Sequence, residues 1–217
     1  IWDYARIESP TPHTAVLAES RMPGARWFPG AQVNYAREVL RHVDAAHAAG
    51  MPAIVSDNER GEVRELSWPE LRRQVASVAL TLKSLGVKRG DRVAAYMPNV
   101  PETMVAFLAC SSIGAIWSVC APDMGTAAVA DRFRQIEPTL LIAVDGVHYG
   151  GKPLDRSAVL RELRDQLPSV RRLLLVPSPH AAGQVAHDVD WARATARDDA
   201  EVAAFEPEWL PFDHPIW

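Results

Sequence analysis

Gly146-Val147-His148-Tyr149-Gly150-Gly151-Lys152 has the spacing G-x-x-x-x-G-K, the pattern of a loop whose backbone N–H groups cradle phosphates. It follows an apolar run and precedes a segment with helical periodicity, the context such a loop requires. The next residue argues against nucleotide hydrolysis, because magnesium ligation needs Ser or Thr there and the chain has Pro153. What remains is an anion-friendly turn: adjacent glycine N–H groups, a helix start just beyond, and the charge of Lys152. The competing account is a surface turn whose glycines permit the bend and whose lysine is solvated. The residues alone leave both open.

Other reactive side chains are less organised. His148 and His180 have no Ser, Cys or carboxylate at a telling spacing, so each reads as a solvated loop histidine. Asp123 and Asp145 end apolar runs, where Asp commonly caps a turn. Asp131, Arg132 and Arg134 form the wet face of a helix whose other face is Val129, Phe133 and Ile136. Cys110 and Cys120 sit among apolar neighbours, with no C-x-x-C pair or histidine cluster, and read as buried core thiols. Trp117, on a strand, could face either side of a sheet. No nucleophile–base pair, G-x-G-x-x-G, H-E-x-x-H or metal-ligand cluster is present, so no catalytic residue and no metal ligand is assigned.

These loops need a scaffold, and the chain predicts an α/β one. From residue 92, short apolar runs (92–97, 115–120, 140–144, 172–176) alternate with helical segments (101–113, 126–136, 154–167), the rhythm of parallel βαβ units. Such a sheet binds ligands outside the carboxyl ends of its strands. That rule nominates the loops at 98–101, 122–125, 145–153 and 177–180. Before the sheet, Ala53 to Ser56 and Val63 to Trp68 suit a hairpin, and a helix follows with Pro69 in its first turn and Gly86 as its stop. Residues 1–52 read as a proline-punctuated N-terminal wrap with one helix, from Asn34 as N-cap to Gly50; residues 53–217 read as the α/β unit.

Composition excludes several classes. The 217 residues are 48% apolar and 23% charged, which suits a folded chain whose core needs no disulfide or metal staple. The balance of 23 Lys+Arg and 27 Asp+Glu gives −4, and the pairs Arg72-Arg73, Lys88-Arg89 and Arg171-Arg172 are short and scattered. No basic footprint for nucleic acid is visible. No apolar run approaches the ~20 residues of a membrane span, and no basic start precedes an apolar leader. The expectation is a cytoplasmic protein that binds neither nucleic acid nor membrane.

Longer strings carry a resemblance. Residues 26–37, RWFPGAQVNYAR, are similar to the entry segment of short-chain acyl-CoA synthetases in the adenylate-forming superfamily. Leu66-Ser67-Trp68, Ser84-Leu85-Gly86-Val87, Gly90-Asp91-Arg92-Val93 and Met97-Pro98-Asn99-Val100-Pro101-Glu102 resemble that family's first core region. Ile116-Trp117-Ser118, Cys120, Pro122-Asp123, Asp131-Arg132-Phe133 and Gln135-Ile136-Glu137-Pro138 resemble the acetoacetyl-CoA synthetases within it. The resemblance spans residues 27–217.

It implies the N-terminal part of the acyl-CoA synthetase fold, a mostly parallel sheet flanked by helices, with the N-terminal wrap and hairpin described above. It implies ATP, CoA and magnesium for an intact ligase of acetoacetate or another short acid such as acetate, propionate or butyrate. In acetyl-CoA relatives an Arg-Gly-Gly-Arg loop meets CoA phosphates; here Tyr149-Gly150-Gly151-Lys152 stands in its place, keeping the glycine turn and one cation, which implies a CoA contact there. The string Phe212-Asp213-His214-Pro215-Ile216-Trp217 implies a strand and then the ATP phosphate loop. The chain is therefore expected to be cut short of that loop, to be inactive alone, and to need the C-terminal part of the same polypeptide. A non-catalytic module with the same fold is the alternative from a different class.

Overall fold

The computed structural model describes residues 1–217. The N-terminal segment forms one helical turn, α1 (Trp2–Ala5), and three short strands, β1 (Leu17–Glu19), β2 (Arg26–Trp27) and β3 (Gln32–Val33). It is pinned by aromatic packing, with the Trp2 ring 4.7 Å from Phe28 and 6.1 Å from Phe212. Asn34 then caps α2 (Tyr35–Leu40) through the N–H groups of Ala36 and Arg37. Its amide nitrogen lies 2.9, 3.3 and 2.8 Å from the carbonyls of Ser111, Ser112 and Glu208, so one buried side chain ties the wrap to two later segments. The single helix expected to Gly50 is two, because α3 (Val43–Ala48) begins after a break at Arg41-His42. Arg41 is held there by the carbonyls of Ala5 and Arg6 and by Glu38. The apolar stripe does not register this bend, since Ala36, Leu40 and Val43 stay on the inner face through it.

The hairpin β4 (Ile54–Asp57) and β5 (Val63–Leu66) pairs antiparallel, Ile54 opposite Leu66. The helix α4 (Trp68–Ser84) follows, with the Ser67 hydroxyl accepting from the Glu70 N–H at 3.3 Å. Beyond it, Gly86 takes the left-handed conformation (φ 93°) that ends a helix without a Cβ clash. The alternating region then runs β6 (Arg92–Tyr96), α5 (Pro101–Ser112), β7 (Ile116–Cys120), α6 (Thr126–Arg134) and β8 (Leu140–Val144). It continues through a second antiparallel hairpin, β9 (Gly146–Tyr149) and β10 (Lys152–Asp155), to α7 (Ser157–Gln166) and β11 (Arg172–Val176). Short pieces close the chain: β12 (Val189–Asp190), α8 (Trp191–Ala194), α9 (Asp199–Ala203) and β13 (Leu210–Pro211), the last pairing with β3.

Five strands form a parallel sheet in the order β12-β11-β8-β6-β7. Successive residues of a strand point to opposite faces, and the core divides accordingly. Val93, Ala95, Leu140, Ile142 and Leu174 pack with α4 and α5; Ala94, Tyr96, Leu141, Ala143, Leu173 and Leu175 pack with α6 and α7. Both faces are covered, which is why the central strands read as unbroken apolar runs. Phe133 of α6 is fully buried, worth roughly 1.5–3 kcal/mol of transfer free energy. Trp117 belongs to the α5 face, its ring 6.2 Å from Phe107. On the open edge of β7, the Trp117 N–H donates to the Ile216 carbonyl at 3.0 Å. No helix is long and apolar enough to cross a membrane.

Candidate functional site

The strand order places β7 on one side of β6 and β8 on the other, so the chain reverses direction across the sheet between β6 and β8. A crevice opens at such a point outside the carboxyl ends of the strands. Four loops reach that edge, and they do different things. After β7, the Pro122 carbonyl accepts the buried Tyr96 hydroxyl at 2.7 Å, while Asp123 is exposed. Burial pushes the Tyr96 phenol up, opposed by the charge of Arg156, so it is no base at neutral pH. Asp145, at the end of β8, is buried and braces two loops: its carboxylate accepts from the Ser178 N–H at 2.8 Å, and its carbonyl accepts from the Arg156 N–H at 2.7 Å. Asp145 thus differs from the local turn cap expected of a strand-ending Asp, because its carboxylate reaches a loop 33 residues further along the chain.

The loop after β8 differs from the sequence expectation in shape. Lys152 to Asp155 do not lead straight into a helix; they form β10, which folds back on β9 with Lys152 opposite Tyr149 and Pro153 opposite His148. The helix starts at Ser157 instead of 154, and the helix start expected just beyond Lys152 is displaced by an entire strand. The cause is the turn. Gly150 and Gly151 both have positive φ, 60° and 75°, the mirror-image two-residue turn that matches the twist of a hairpin and that L side chains resist. Asp155 then turns the chain, its carboxylate accepting from the Ser157 N–H and hydroxyl at 2.9 and 2.6 Å.

The two glycine N–H groups do hold an anion, and it is the protein's own. From the loop between β4 and β5, Glu59 places Oε1 2.8 Å from the Gly150 nitrogen and Oε2 2.9 Å from the Gly151 nitrogen. His148 Nδ1 lies 3.4 Å from the same Oε2. The N–H of Gly151 and then that of Gly150 hold the Glu59 carboxyl below its ordinary range, with His148 adding to the effect and loss of water opposing it. The His148 ring also meets that of His180, 5.7 Å between centroids, so two histidines far apart in sequence share one place. Tyr149 and Lys152 flank the turn, both exposed, and Lys152 enters no ion pair. Sequence reasoning missed Glu59, which is 91 residues from Gly150 and carries no motif; the Gly-Gly pair between two four-residue runs was the readable signal for the turn.

The remaining candidates are structural. Cys110 and Cys120 are buried and unpaired, and burial pushes both thiols up. No group of three or more His, Cys, Asp or Glu side chains gathers to hold a metal ion. A cavity of about 530 Å³ lies between α2, α4 and α9. Its four arginines are already neutralised, Arg37 by Glu206, Arg41 by Glu38, Arg72 by Asp44 and Arg73 by Asp199. The glycine turn with its exposed lysine, at the carboxyl end of β8, is the better candidate for binding an anionic ligand.

Known proteins resemble the chain along its whole length. A family model described as AMP-binding enzyme matches residues 41–214. The acetoacetyl-coenzyme A synthetase of Rhizobium meliloti (strain 1021) is 36% identical over 219 residues, covering 100% of this chain and 33% of that protein. An acetyl-coenzyme A synthetase of Streptomyces avermitilis is 34% identical over 215 residues, covering 98% of this chain and 32% of that protein. The solved structure of acetoacetyl-CoA synthetase from Streptomyces lividans matches with a TM-score of 0.88 and 44% identity over 100% of this chain and 32% of its own. The architecture is therefore that of the N-terminal part of the acyl-CoA synthetase fold, and the chain spans about a third of the length of the relatives it matches.

Proposed function

From the premise that the chain belongs to the AMP-binding enzyme family, we propose that residues 1–217 are the N-terminal part of a cytoplasmic acetoacetate:CoA ligase. The observation that carries this is the likeness, over the whole chain at 44% identity, to the acetoacetyl-CoA synthetase of Streptomyces lividans. The complete enzyme would join acetoacetate to AMP at the expense of ATP, releasing pyrophosphate, and then pass the acyl group to the CoA thiol. A carboxylate is a poor electrophile without a good leaving group; as a mixed anhydride with AMP it gains one. Positioning and charge neutralisation supply most of the catalysis in such steps.

Within this proposal residues 1–52 are a wrap and 53–217 an α/β subdomain of the adenylate-forming large domain. ATP, magnesium, the acyl pocket and the catalytic side chains are assigned to the other two thirds of the polypeptide, and residues 1–217 alone are inactive. The part assigned to this chain is contact with CoA phosphate by Tyr149, Gly150, Gly151 and Lys152. Support comes from the placement of the turn beyond the carboxyl end of β8, from two N–H donors converging on one anion, and from Lys152, the residue after the two glycines, which is exposed and enters no ion pair. Nothing at this site reads the acid, and the acetyl-coenzyme A synthetase at 34% identity favours acetate as the second reading.

The test is a substrate panel on the complete polypeptide. With ATP, magnesium and CoA, acetoacetate is expected to give the highest kcat/KM among acetoacetate, acetate, propionate and butyrate. A higher value for acetate would replace the acid and keep the reaction. Absence of AMP release with every acid would favour a non-catalytic module.

A further inference from the structure

We propose that Glu59 is a built-in competitor for the Gly150–Gly151 anion site, so that a phosphate group takes the two N–H donors only as the Glu59 carboxylate leaves. This rests on the reading of residues 149–152 as a CoA-phosphate contact and adds a determinant of its affinity and selectivity. Geometry is the first support. The two carboxylate oxygens each take one N–H, at 2.8 and 2.9 Å, the two-point arrangement that two oxygens of a phosphate would reproduce. A phosphate and the carboxylate cannot share these donors, because each glycine offers a single N–H.

Removability is the second support. The Glu59 side chain is 42% exposed and water reaches it directly. The loop that carries Glu59 does not need it to keep its shape. Asn58 Oδ1 accepts from the N–H groups of Arg60 and Glu62 at 2.9 and 3.1 Å, and Asn58 Nδ2 donates to Glu62 Oε2 at 2.9 Å. Glu59 can therefore swing out while its loop stays closed. The glycine turn likewise keeps its strand pairing, from Tyr149–Lys152 down to Gly146–Asp155, whichever anion it holds.

The chemistry sets a selectivity. A dianionic phosphate gains more from Lys152 and the two N–H groups than a monoanionic carboxylate does, whereas a neutral or singly charged ligand gains too little to displace Glu59. The resident carboxylate thus raises the threshold for weak anions and leaves the site open to phosphate monoesters, the class to which the 3′-phosphate of CoA belongs. His148 stands on the Glu59 side of the turn, its Nδ1 3.4 Å from the same carboxylate oxygen.

The experiment follows the Gly150 and Gly151 amide resonances of the 217-residue chain during titration with adenosine 3′,5′-bisphosphate and, separately, inorganic phosphate. In Glu59→Ala and in the milder Glu59→Gln, half-saturation is expected at a concentration at least fivefold lower than in the wild type, with unchanged spectral dispersion elsewhere. Half-saturation within twofold of wild type in both variants, or weaker binding in both, overturns the competitor and makes Glu59 a brace between hairpins. Amides that respond to neither probe in any variant overturn it as well. The CoA reading fails separately: if the amides respond and depend on Glu59, yet CoA and dephospho-CoA bind the complete enzyme alike, the phosphate site stands and its assignment to CoA falls.

Discussion

Two hairpins meet at the carboxyl edge of the sheet, and they satisfy their turns in opposite ways. The loop between β4 and β5 is closed from within, by the Asn58 side chain across Arg60 and Glu62. The Gly150-Gly151 turn between β9 and β10 has no such internal partner, and its N–H groups are completed by Glu59 from the first hairpin. A loop that supplies its own acceptors is finished structure. A turn whose donors rest on a water-exposed group from elsewhere can exchange that group for a ligand, and that difference is why the second hairpin is the one proposed as a site.

The largest effect on this contrast is expected at the base of the second hairpin. A Cβ on Gly146 would sit 2.8 Å from backbone atoms of His180 and Ala181, so Gly146→Ala should displace the loop after β11 and cost about 1–3 kcal/mol, read as a lower urea midpoint. An unchanged midpoint would mean that the hairpin is not seated on that loop. Next is the turn itself: Gly151→Ala forces a side chain to a φ of 75° and should cost about 1–2 kcal/mol, while Gly151→Asn, which tolerates that conformation better, recovers part of it. Equal costs for the two would contradict the left-handed geometry. Asn58→Ala should loosen only the first loop, by about 0.5–1.5 kcal/mol, leaving the pairing of Lys152 with Tyr149 intact by amide exchange.

The smallest change in stability is expected from Glu59→Gln, and its pH dependence carries the information. The folded-state carboxyl is held below its ordinary range, so its contribution is present above the unfolded carboxylate range and is lost as pH falls through the lowered folded value. The urea midpoints of wild type and Glu59→Gln should therefore differ at neutral pH and converge in acid. A difference that persists unchanged in acid would show that the charge is not what the glycines hold.

How far the sequence reached follows the same division. The sheet was legible because its strands are buried on both faces. Leu140 to Val144 and Arg172 to Val176 match their expected bounds, and α4 and α5 match theirs within about a residue, from Pro69 and Gly86 and from Pro101. The wrap's helix was legible in its cap, Asn34, and not in its break at Arg41, since the bend leaves the apolar stripe in place. The second hairpin was obscured because β10 is four residues long, contains Pro153 and runs almost at once into a helix, so its residues blend with the helical pattern that follows. Lys152 and the glycines could be named from their spacing and their likeness to a phosphate-contacting loop. Glu59 could not, because a contact across 91 residues between two exposed turns leaves no period and no motif.

The proposed CoA contact is tested most directly by the ratio of KM for dephospho-CoA to KM for CoA, measured in the complete enzyme with and without Lys152→Ala. A lysine on the 3′-phosphate predicts a wild-type ratio well above one, about three- to tenfold for a charge-assisted contact near the surface, falling toward one in the variant through a raised KM for CoA alone. A ratio that is unchanged by the substitution, or equal losses for both ligands, would contradict it.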